Sequence, residues 1–376
     1  MKVLYIGVYR DGTGWGNAAI DYILSLDSAG VDVVPRAVKL NNRQIDLPKR
    51  ILELESKSDS GCDVVIQHLL PHQTDFSGEF SKSIILYATE TSHFKNSSWP
   101  IHINCMDEAW VINSQMAEVS KASGVNVPIK VIPHATEVEK FSEEYPNPIP
   151  ENLKDKFVFY FVGEYNPRKN IHSLLVAFHS EFSDAEDVAL IIKATSPALG
   201  PQETHDQIRS MSNKIKHDLK IFPDPTYHVE EAIMTTMFDQ KYMMGLHQHA
   251  DCFVVPSYGE AWCIPAFNAM GMGSTPIANG TGGLIDYIDD DVGVLLPNRP
   301  EPVLGMVETF GDIYTGSEDW WSVDINAMKS AMRRAYEEDW TQKSEEGFNR
   351  VFDYSHHSVG LMMKEALNAK SSQISN

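Results

Sequence analysis

The stretch from Ala250 to Gly283 constrains this chain more than any other. Cys252, Phe253, Val254 and Val255 form an apolar run of strand length, stopped by Pro256 and followed by Ser257, Tyr258, Gly259 and Glu260. Apolar residues then fall at Ile264, Phe267, Ala269 and Met270. That spacing predicts a helix starting at or after Pro265, because proline suits a first helical turn. Gly271 and Gly273 end the helix, Pro276-Ile277-Ala278 reads as a second short strand, and Gly280, Gly282 and Gly283 as a tight loop. Strand, loop, helix N-terminus, strand and glycine loop, in that order, is how α/β proteins hold phosphate at the carboxyl edge of a parallel sheet. A carboxylate does not bind phosphate directly, so Glu260 is expected to accept hydrogen bonds from sugar or ribose hydroxyls.

The rest of the chain repeats this grammar. Val3 to Val8 reads as a buried strand, followed by a turn from Asp11 to Asn17 that contains Gly14 and Gly16, and then by a helical pattern through Ala18, Ile20, Ile23 and Leu26. Further strands are predicted at 30–34, 62–68, 83–88, 108–112 and 130–134. His68 closes the third strand, with His72 just beyond it. Either could reach a ligand at the sheet edge, and for His72 satisfaction by loop carbonyls is the plainer reading. Glu137 to Lys156 is polar and punctuated by Pro146, Pro148 and Pro150, which marks an interdomain linker. The second half restarts with a strand over 157–163, the turn Glu164 to Asn170, and an amphipathic helix through Ile171, Leu174, Leu175 and Phe178. Arg168 and Lys169 at that helix start oppose its dipole, so an anionic ligand would relieve the conflict; solvated surface charge is the alternative.

Beyond that helix, a strand is expected over 188–193, with Lys193 at its end either paired with a carboxylate or exposed. A helix over 202–220, a short strand at Ile221-Phe222 and a helix over 242–249 follow. Three consecutive aspartates, Asp289 to Asp291, read as a solvated turn. Trp320, Trp321, Met328, Met332 and Tyr336 read as packing faces of helices. Phe352 to Leu367 is expected to form a terminal helix and Lys370 to Asn376 a frayed tail.

Composition narrows the function classes. At 376 residues the chain is comfortable as two domains. Its 52 acidic against 31 basic residues, net −21, argue against a broad electrostatic grip on nucleic acid or anionic lipid. Cys62, Cys105, Cys252 and Cys263 lack metal-ligand spacing and read as reduced core thiols. The N-terminal apolar run is too short for a signal peptide, and no apolar stretch approaches membrane-spanning length. A cytoplasmic protein is expected.

The segments Ala250–Gly283 and Phe161–Asn170 together resemble the signature of the retaining glycosyltransferases of family four, which have the GT-B fold. The resemblance implies an α/β protein of two facing Rossmann-like domains with parallel sheets. Residues 1–145, with the returning C-terminal helix 351–376, would form the acceptor domain, and 146–350 the nucleotide-sugar donor domain. It implies a retaining, metal-independent transferase that moves a hexose-type sugar from a nucleotide-diphosphate donor to a hydroxyl acceptor. No cofactor is implied beyond that nucleotide-sugar co-substrate. A glycan, a lipid-linked compound or a small molecule fits the acceptor role better than nucleic acid.

Lys169 matches the family's diphosphate-clamping lysine and Arg168 adjoins it, while Glu164 stands at the usual arginine position. Glu260 matches the first signature glutamate, and Asn268 replaces the second, which is associated with the donor ribose. His68 matches a histidine beside the donor sugar. Backbone groups of Trp262, Cys263 and Ile264 would face the leaving diphosphate. A dinucleotide site would need an acidic residue closing the second strand, where Pro35-Arg36 stands. The loop with Gly14 and Gly16 is therefore assigned to an acceptor or a donor phosphate. The resemblance leaves three rivals: a sugar-nucleotide epimerase of the same fold, an inert sugar-nucleotide-binding subunit, and glycosylation of hydroxymethylated DNA bases.

Overall fold

Two six-stranded parallel sheets, each flanked by helices, account for most of the chain. The computed structural model describes residues 1–39, 45–306 and 313–369. The tail expected at Lys370 to Asn376 lies outside the described residues.

The first sheet contains β1 (Lys2–Gly7), β2 (Asp32–Ala37), β3 (Val64–His68), β4 (Lys82–Tyr87), β5 (Glu108–Val111) and β6 (Ile129–Val131), in the order β2-β1-β3-β4-β5-β6. Helices α1 (Gly14–Ser28), α2 (Lys49–Glu55), α3 (Trp99–Asn104) and α4 (Ser114–Ala122) accompany it. Strands β3, β4 and β5 are buried along their whole length, as expected for central parallel strands covered on both faces. This first compact unit comprises Met1–Lys140 and the C-terminal stretch from Phe352.

The second sheet contains β7 (Phe157–Glu164), β8 (Val188–Thr195), β9 (Ala232–Met234), β10 (Cys252–Val255), β11 (Thr275–Asn279) and β12 (Val294–Leu296), in the order β12-β11-β10-β7-β8-β9. An antiparallel pair, β13 (Asn298–Pro302) and β14 (Asp319–Val323), forms a separate two-stranded sheet. The helices of this half are α5 (Ile171–Glu181), α6 (Pro201–Leu219), α7 (Gln240–His249), α8 (Ile264–Gly271), α9 (Leu284–Tyr287), α10 (Ile325–Glu337) and α11 (Thr341–Arg350). One face of the six-stranded sheet packs Phe159, Phe161, Leu190, Ile192 and Val254 against Leu174, Phe178, Met328 and Met332 from α5 and α10.

The last helix, α12 (His356–Asn368), belongs to the first core, where it buries Val359, Met363, Ala366 and Leu367. It lies close against α1. A Cβ on Gly360 would sit 2.0 Å from the Ser25 carbonyl oxygen, so only glycine permits this approach. His356 Nε2 meets Asp21 Oδ1 at 2.8 Å and Lys364 Nζ donates to the Ala29 carbonyl at 2.7 Å, fixing the helix along its length.

Three sequence expectations need correction. Ile221-Phe222 is a bend rather than a strand: it follows Lys220, which ends α6 in a left-handed conformation (φ 51°), and the Phe222 ring packs on His228. The edge strand is instead the three-residue β9. Trp320 and Trp321 lie on β14 and not on a helix. Trp320 faces inward and Trp321 is half-exposed, the alternation of a strand. Of the four cysteines, Cys252 and Cys263 are buried, but Cys62 is half-buried and Cys105 is exposed just past the end of α3.

Candidate active site

In open parallel sheets, ligands bind beyond the carboxyl ends of the strands, in the crevice where strand order reverses. In the second sheet that reversal falls between β7 and β10: the chain runs outward from β7 through β8 to β9, then resumes on the other side of β7 with β10. The loops leaving these two strands are the ones that carry Arg168-Lys169 and Gly259-Glu260.

Five contacts stitch the two loops together. Asn170 Nδ2 donates to the Pro256 carbonyl at 3.1 Å, and the Tyr258 N–H donates to the Arg168 carbonyl at 2.8 Å. Arg168 Nη1 donates to the Gly259 carbonyl at 2.6 Å and lies 3.4 Å from Glu260 Oε2. Lys169 Nζ donates to Glu260 Oε1 at 2.5 Å. Local sequence sets each group. Asn166 caps the short turn Pro167–Lys169 by accepting the Lys169 N–H, and Asn170, left-handed at φ 51°, caps α5 by accepting the Ser173 N–H.

Two cations converge on one carboxylate in this trio. Burial by itself would raise the Glu260 carboxyl, but the Lys169 ammonium and then the Arg168 guanidinium outweigh it and bring the pKa down to about 2. Glu260 is therefore ionised at any pH where the protein functions, and serves as a hydrogen-bond acceptor rather than a proton donor. Glu260 thus faces both cations, Lys169 at 2.5 Å and Arg168 at 3.4 Å.

The glycine loop predicted after β11 supports Glu260 from behind. Gly282 (φ 63°) packs so closely that a Cβ would lie 1.9 Å from the Glu260 carbonyl oxygen, and the Gly283 N–H donates to that oxygen at 3.0 Å. Helix α8 begins one residue before Pro265, with Cys263 in the left-handed region (φ 67°) just ahead of it. Burial, and then the Glu260 charge, push the Cys263 thiol up to about 12, so it stays protonated at neutral pH. The Trp262 ring is buried against Phe267 and Tyr287, and the Tyr287 hydroxyl donates to the Trp262 carbonyl at 2.8 Å, which orients the backbone entering the helix. Ile264, Pro265 and Asn268 form the half-exposed stripe of α8. The Asn268 Oδ1 atom is shielded from solvent and takes no hydrogen bond from the described residues. Glu164, at the end of β7, is exposed.

Three contributors escaped the sequence reading. Asn170 was legible as a cap, because it stands directly before a helical pattern. Asn279 was not: its Nδ2 donates to the Ser257 and Trp321 carbonyls at 2.9 and 2.6 Å, tying β14 to the loop after β10. The Tyr258 ring stacks on Trp320 with centroids 4.5 Å apart and planes 9° from parallel. Lys193 departs from both alternatives expected of it. Among the described residues it has no carboxylate partner, it is buried, and its ammonium lies 5.0 Å from the Phe238 ring centroid. Burial lowers its pKa to about 8.

The first sheet has its own reversal, between β1 and β3. His68 ends β3 in register with Gly7 at the end of β1, beside the loop that leads to Gly14 and Gly16. That loop is held by Asp11 Oδ1, which accepts the Thr13 N–H at 3.0 Å and the Thr13 hydroxyl at 2.8 Å; Thr13 in turn caps α1 through the Gly16 N–H. A Cβ on Gly16 would stand 2.3 Å from Asp11 Oδ1, whereas one on Gly14 would meet nothing within 4 Å. Packing of the turn therefore accounts for Gly16, and Gly14 borders open space. His68 is 1% exposed, stacked on Trp15 at 5.1 Å and bonded through Nδ1 to the Tyr5 hydroxyl at 2.7 Å. His72 lies apart from this cluster, stacked on Trp99, whose indole N–H it accepts at 3.3 Å.

Two parallel-sheet units of this kind make the GT-B fold, and solved structures agree. Sucrose-phosphate synthase from Thermosynechococcus elongatus superposes with a TM-score of 0.64 at 17% identity, covering 98% of each chain. The E. coli trehalose-6-phosphate structure bound with UDP-2-fluoro glucose gives 0.69 at 10% identity, over 98% of this chain and 99% of the other. Anabaena HepE in complex with UDP and glucose gives 0.61 at 12% identity, with the same coverage. Within the second unit, residues 156–309 match the family of glycosyl transferases group 1. The chain thus has the GT-B fold, and residues 156–309 are similar to the glycosyl transferases group 1 family. A curated relative, probable glycogen synthase 2 of Nostoc sp. (strain PCC 7120 / SAG 25.82 / UTEX 2576), is 25% identical over 213 residues. Those residues are 55% of this chain and 37% of that protein, so the match spans little more than a third of the relative's length. No described helix is long and apolar enough to cross a membrane.

Proposed function

We propose that this protein transfers a hexose-type sugar from a nucleotide-diphosphate donor to a hydroxyl acceptor, with retention at the anomeric carbon and without a metal or other cofactor. The observation that carries the reading is the meeting of Lys169, Arg168 and Glu260 at the switch point of the second sheet, beside the N-terminus of α8. In the reaction the bond between the anomeric carbon and the diphosphate oxygen breaks, a bond to the acceptor oxygen forms, and the acceptor proton passes to the departing diphosphate. Negative charge grows on that leaving group. Lys169, Arg168 and backbone N–H groups at the start of α8 stabilise it, and preorganised donors of this kind are usually the largest catalytic contribution. Glu260, held ionised, accepts hydrogen bonds from hydroxyls of the donor sugar, and His68 hydrogen-bonds a sugar oxygen. Cys263 is a buried thiol and His68 a buried neutral imidazole, so neither is poised as a nucleophile. The structural neighbours in complex with UDP, UDP-2-fluoro glucose or glucose support a nucleotide-sugar donor.

Lys169→Ala tests the proposal. With the nucleotide sugar that most raises the thermal midpoint of the native protein, turnover should drop about 100-fold or more while the circular dichroism spectrum is unchanged. A variant that keeps a near-normal rate removes Lys169 from the diphosphate and the reading with it.

A further inference from the structure

We infer that Tyr5 is a positioning residue which fixes His68 in the tautomer protonated at Nε2, making its imidazole a neutral hydrogen-bond donor to an uncharged sugar oxygen. The consequence for catalysis rests on the sugar-transfer reading above; the tautomer assignment does not.

The argument is a count of hydrogen-bond capacity. Tyr5 is fully buried on β1, and among the described residues its hydroxyl has one polar partner, His68 Nδ1 at 2.7 Å. Burial, then the neighbouring Tyr22 and Asp21, hold the Tyr5 phenol far above its ordinary pKa, so the hydroxyl keeps its proton. If Nδ1 also carried a proton, the ring would donate to the tyrosine oxygen and the hydroxyl hydrogen would be buried without an acceptor. An unspent buried donor carries its whole desolvation penalty, enough to bias the tautomers by about tenfold or more. The hydroxyl therefore donates to an unprotonated Nδ1, and the proton of the neutral ring resides on Nε2.

The surroundings leave no competing arrangement. Trp15 stacks on the ring at 5.1 Å and 26°, and Tyr22 stands edge-on at 5.7 Å. The Tyr22 hydroxyl is committed elsewhere, donating to the Ile132 carbonyl at 3.0 Å, so it does not contest Nδ1. Burial, and then His134, lower the His68 pKa to about 3, so the ring is neutral at any working pH. The Nε2–H has no acceptor among the described residues, although the ring lies at the carboxyl end of β3 beside the reversal in strand order. A neutral N–H in that place suits a lone pair on a sugar hydroxyl; a phosphate would call for a cation. The ring is thus excluded from general acid–base work, and its part is to orient.

The test combines nitrogen NMR with kinetics. In ¹⁵N-labelled protein, with His68 assigned by His68→Gln, long-range ¹H–¹⁵N spectra should show the ring protonated at Nε2 by about tenfold or more. Tyr5→Phe should let the Nδ1-protonated form appear and lower kcat about tenfold, with KM for the nucleotide sugar nearly unchanged. Tyr22→Phe removes an equally buried hydroxyl from the same cluster. It should change stability by a similar amount while leaving both the tautomer and kcat alone, which separates positioning from a merely structural loss. A native ring protonated at Nδ1, a Tyr5→Phe protein with an unchanged tautomer, or one with a native kcat would each overturn the inference. If the native protein transfers no sugar, the proposed function fails, and the nitrogen spectrum still decides the tautomer.

Discussion

Glu260 holds two neighbouring cations, and that sets what its removal would do. The Lys169 and Arg168 side chains are mostly buried, with exposures of 11% and 15%. Glu260→Gln keeps the shape of the carboxylate but removes the negative charge that both cations face, and breaking a buried pair from one side costs roughly 3 kcal/mol. A diphosphate in the same place would restore the balance. The expected outcome is a lower thermal midpoint without ligand, together with a larger rise on adding a nucleoside diphosphate than the native protein shows. A rise equal to or smaller than the native one would mean that the cations are satisfied some other way. Turnover should fall regardless, since the amide presents one acceptor oxygen where the carboxylate presents two.

Loops 91 residues apart in sequence meet at this pair, and the elements on either side decide how well they meet. Asn170 is the joint, because its Oδ1 caps α5, its Nδ2 reaches across to the loop after β10, and its backbone is left-handed. Asn170→Ala should lose about 1 kcal/mol of cap and roughly a further 1 kcal/mol because alanine, without the short polar side chain, tolerates φ 51° less well than asparagine, besides the bond to Pro256. Asn170→Gly, which accepts that φ, should recover about 1 kcal/mol of the loss and yet still raise KM for the donor. Denaturant midpoints for the two variants would show the difference, and equal values would argue that the backbone is unstrained. The elements that carry this geometry were the legible ones. β7, β10 and α8 are apolar runs fenced by glycine and proline, and their signals survive without tertiary context. β9 was missed because three residues at a sheet edge give no periodicity, and β14 was misread because a tryptophan pair fits a strand or a helix equally well. The ion pair itself was beyond sequence reasoning. Adjacent carboxyl ends of β7 and β10 follow from strand order, and no local spacing encodes that order. The same holds for Lys193, whose burial under Phe238 depends on the loop before α7.

Across the whole molecule, titration ties the buried groups to stability. Burial, with His134 adding to it, lowers the His68 pKa to about 3. Burial likewise lowers His134 to about 4, against a partial pull upward from Asp21. An unfolded histidine titrates near 6.5, so below that pH the unfolded chain binds protons that the native rings refuse. The stability these rings contribute is complete above about pH 6.5 and is lost as pH falls, at about 1.4 kcal/mol per pH unit for each, until the native pKa is reached. Between pH 7 and pH 5 the two together should cost about 4 kcal/mol. Glu260, and the buried Glu231 that pairs with His179 and Lys216, act in the same direction but lower down: both are held near 2, so their contribution is present above the ordinary carboxylate range and declines below about pH 4.5. The net charge of −21 at pH 7 pulls the other way, since protonating exposed histidines relieves repulsion. Salt separates the two effects. Surface repulsion is screened over about 3 Å at 1 M salt, whereas the cost of charging a buried ring is not. Denaturant titrations should therefore show stability falling from pH 7 to pH 5 at low and high salt alike, with His68→Gln reducing the slope by about 1.4 kcal/mol per pH unit. A profile flat across that window at high salt would mean that the two imidazoles are reached by water and take up protons in the folded chain.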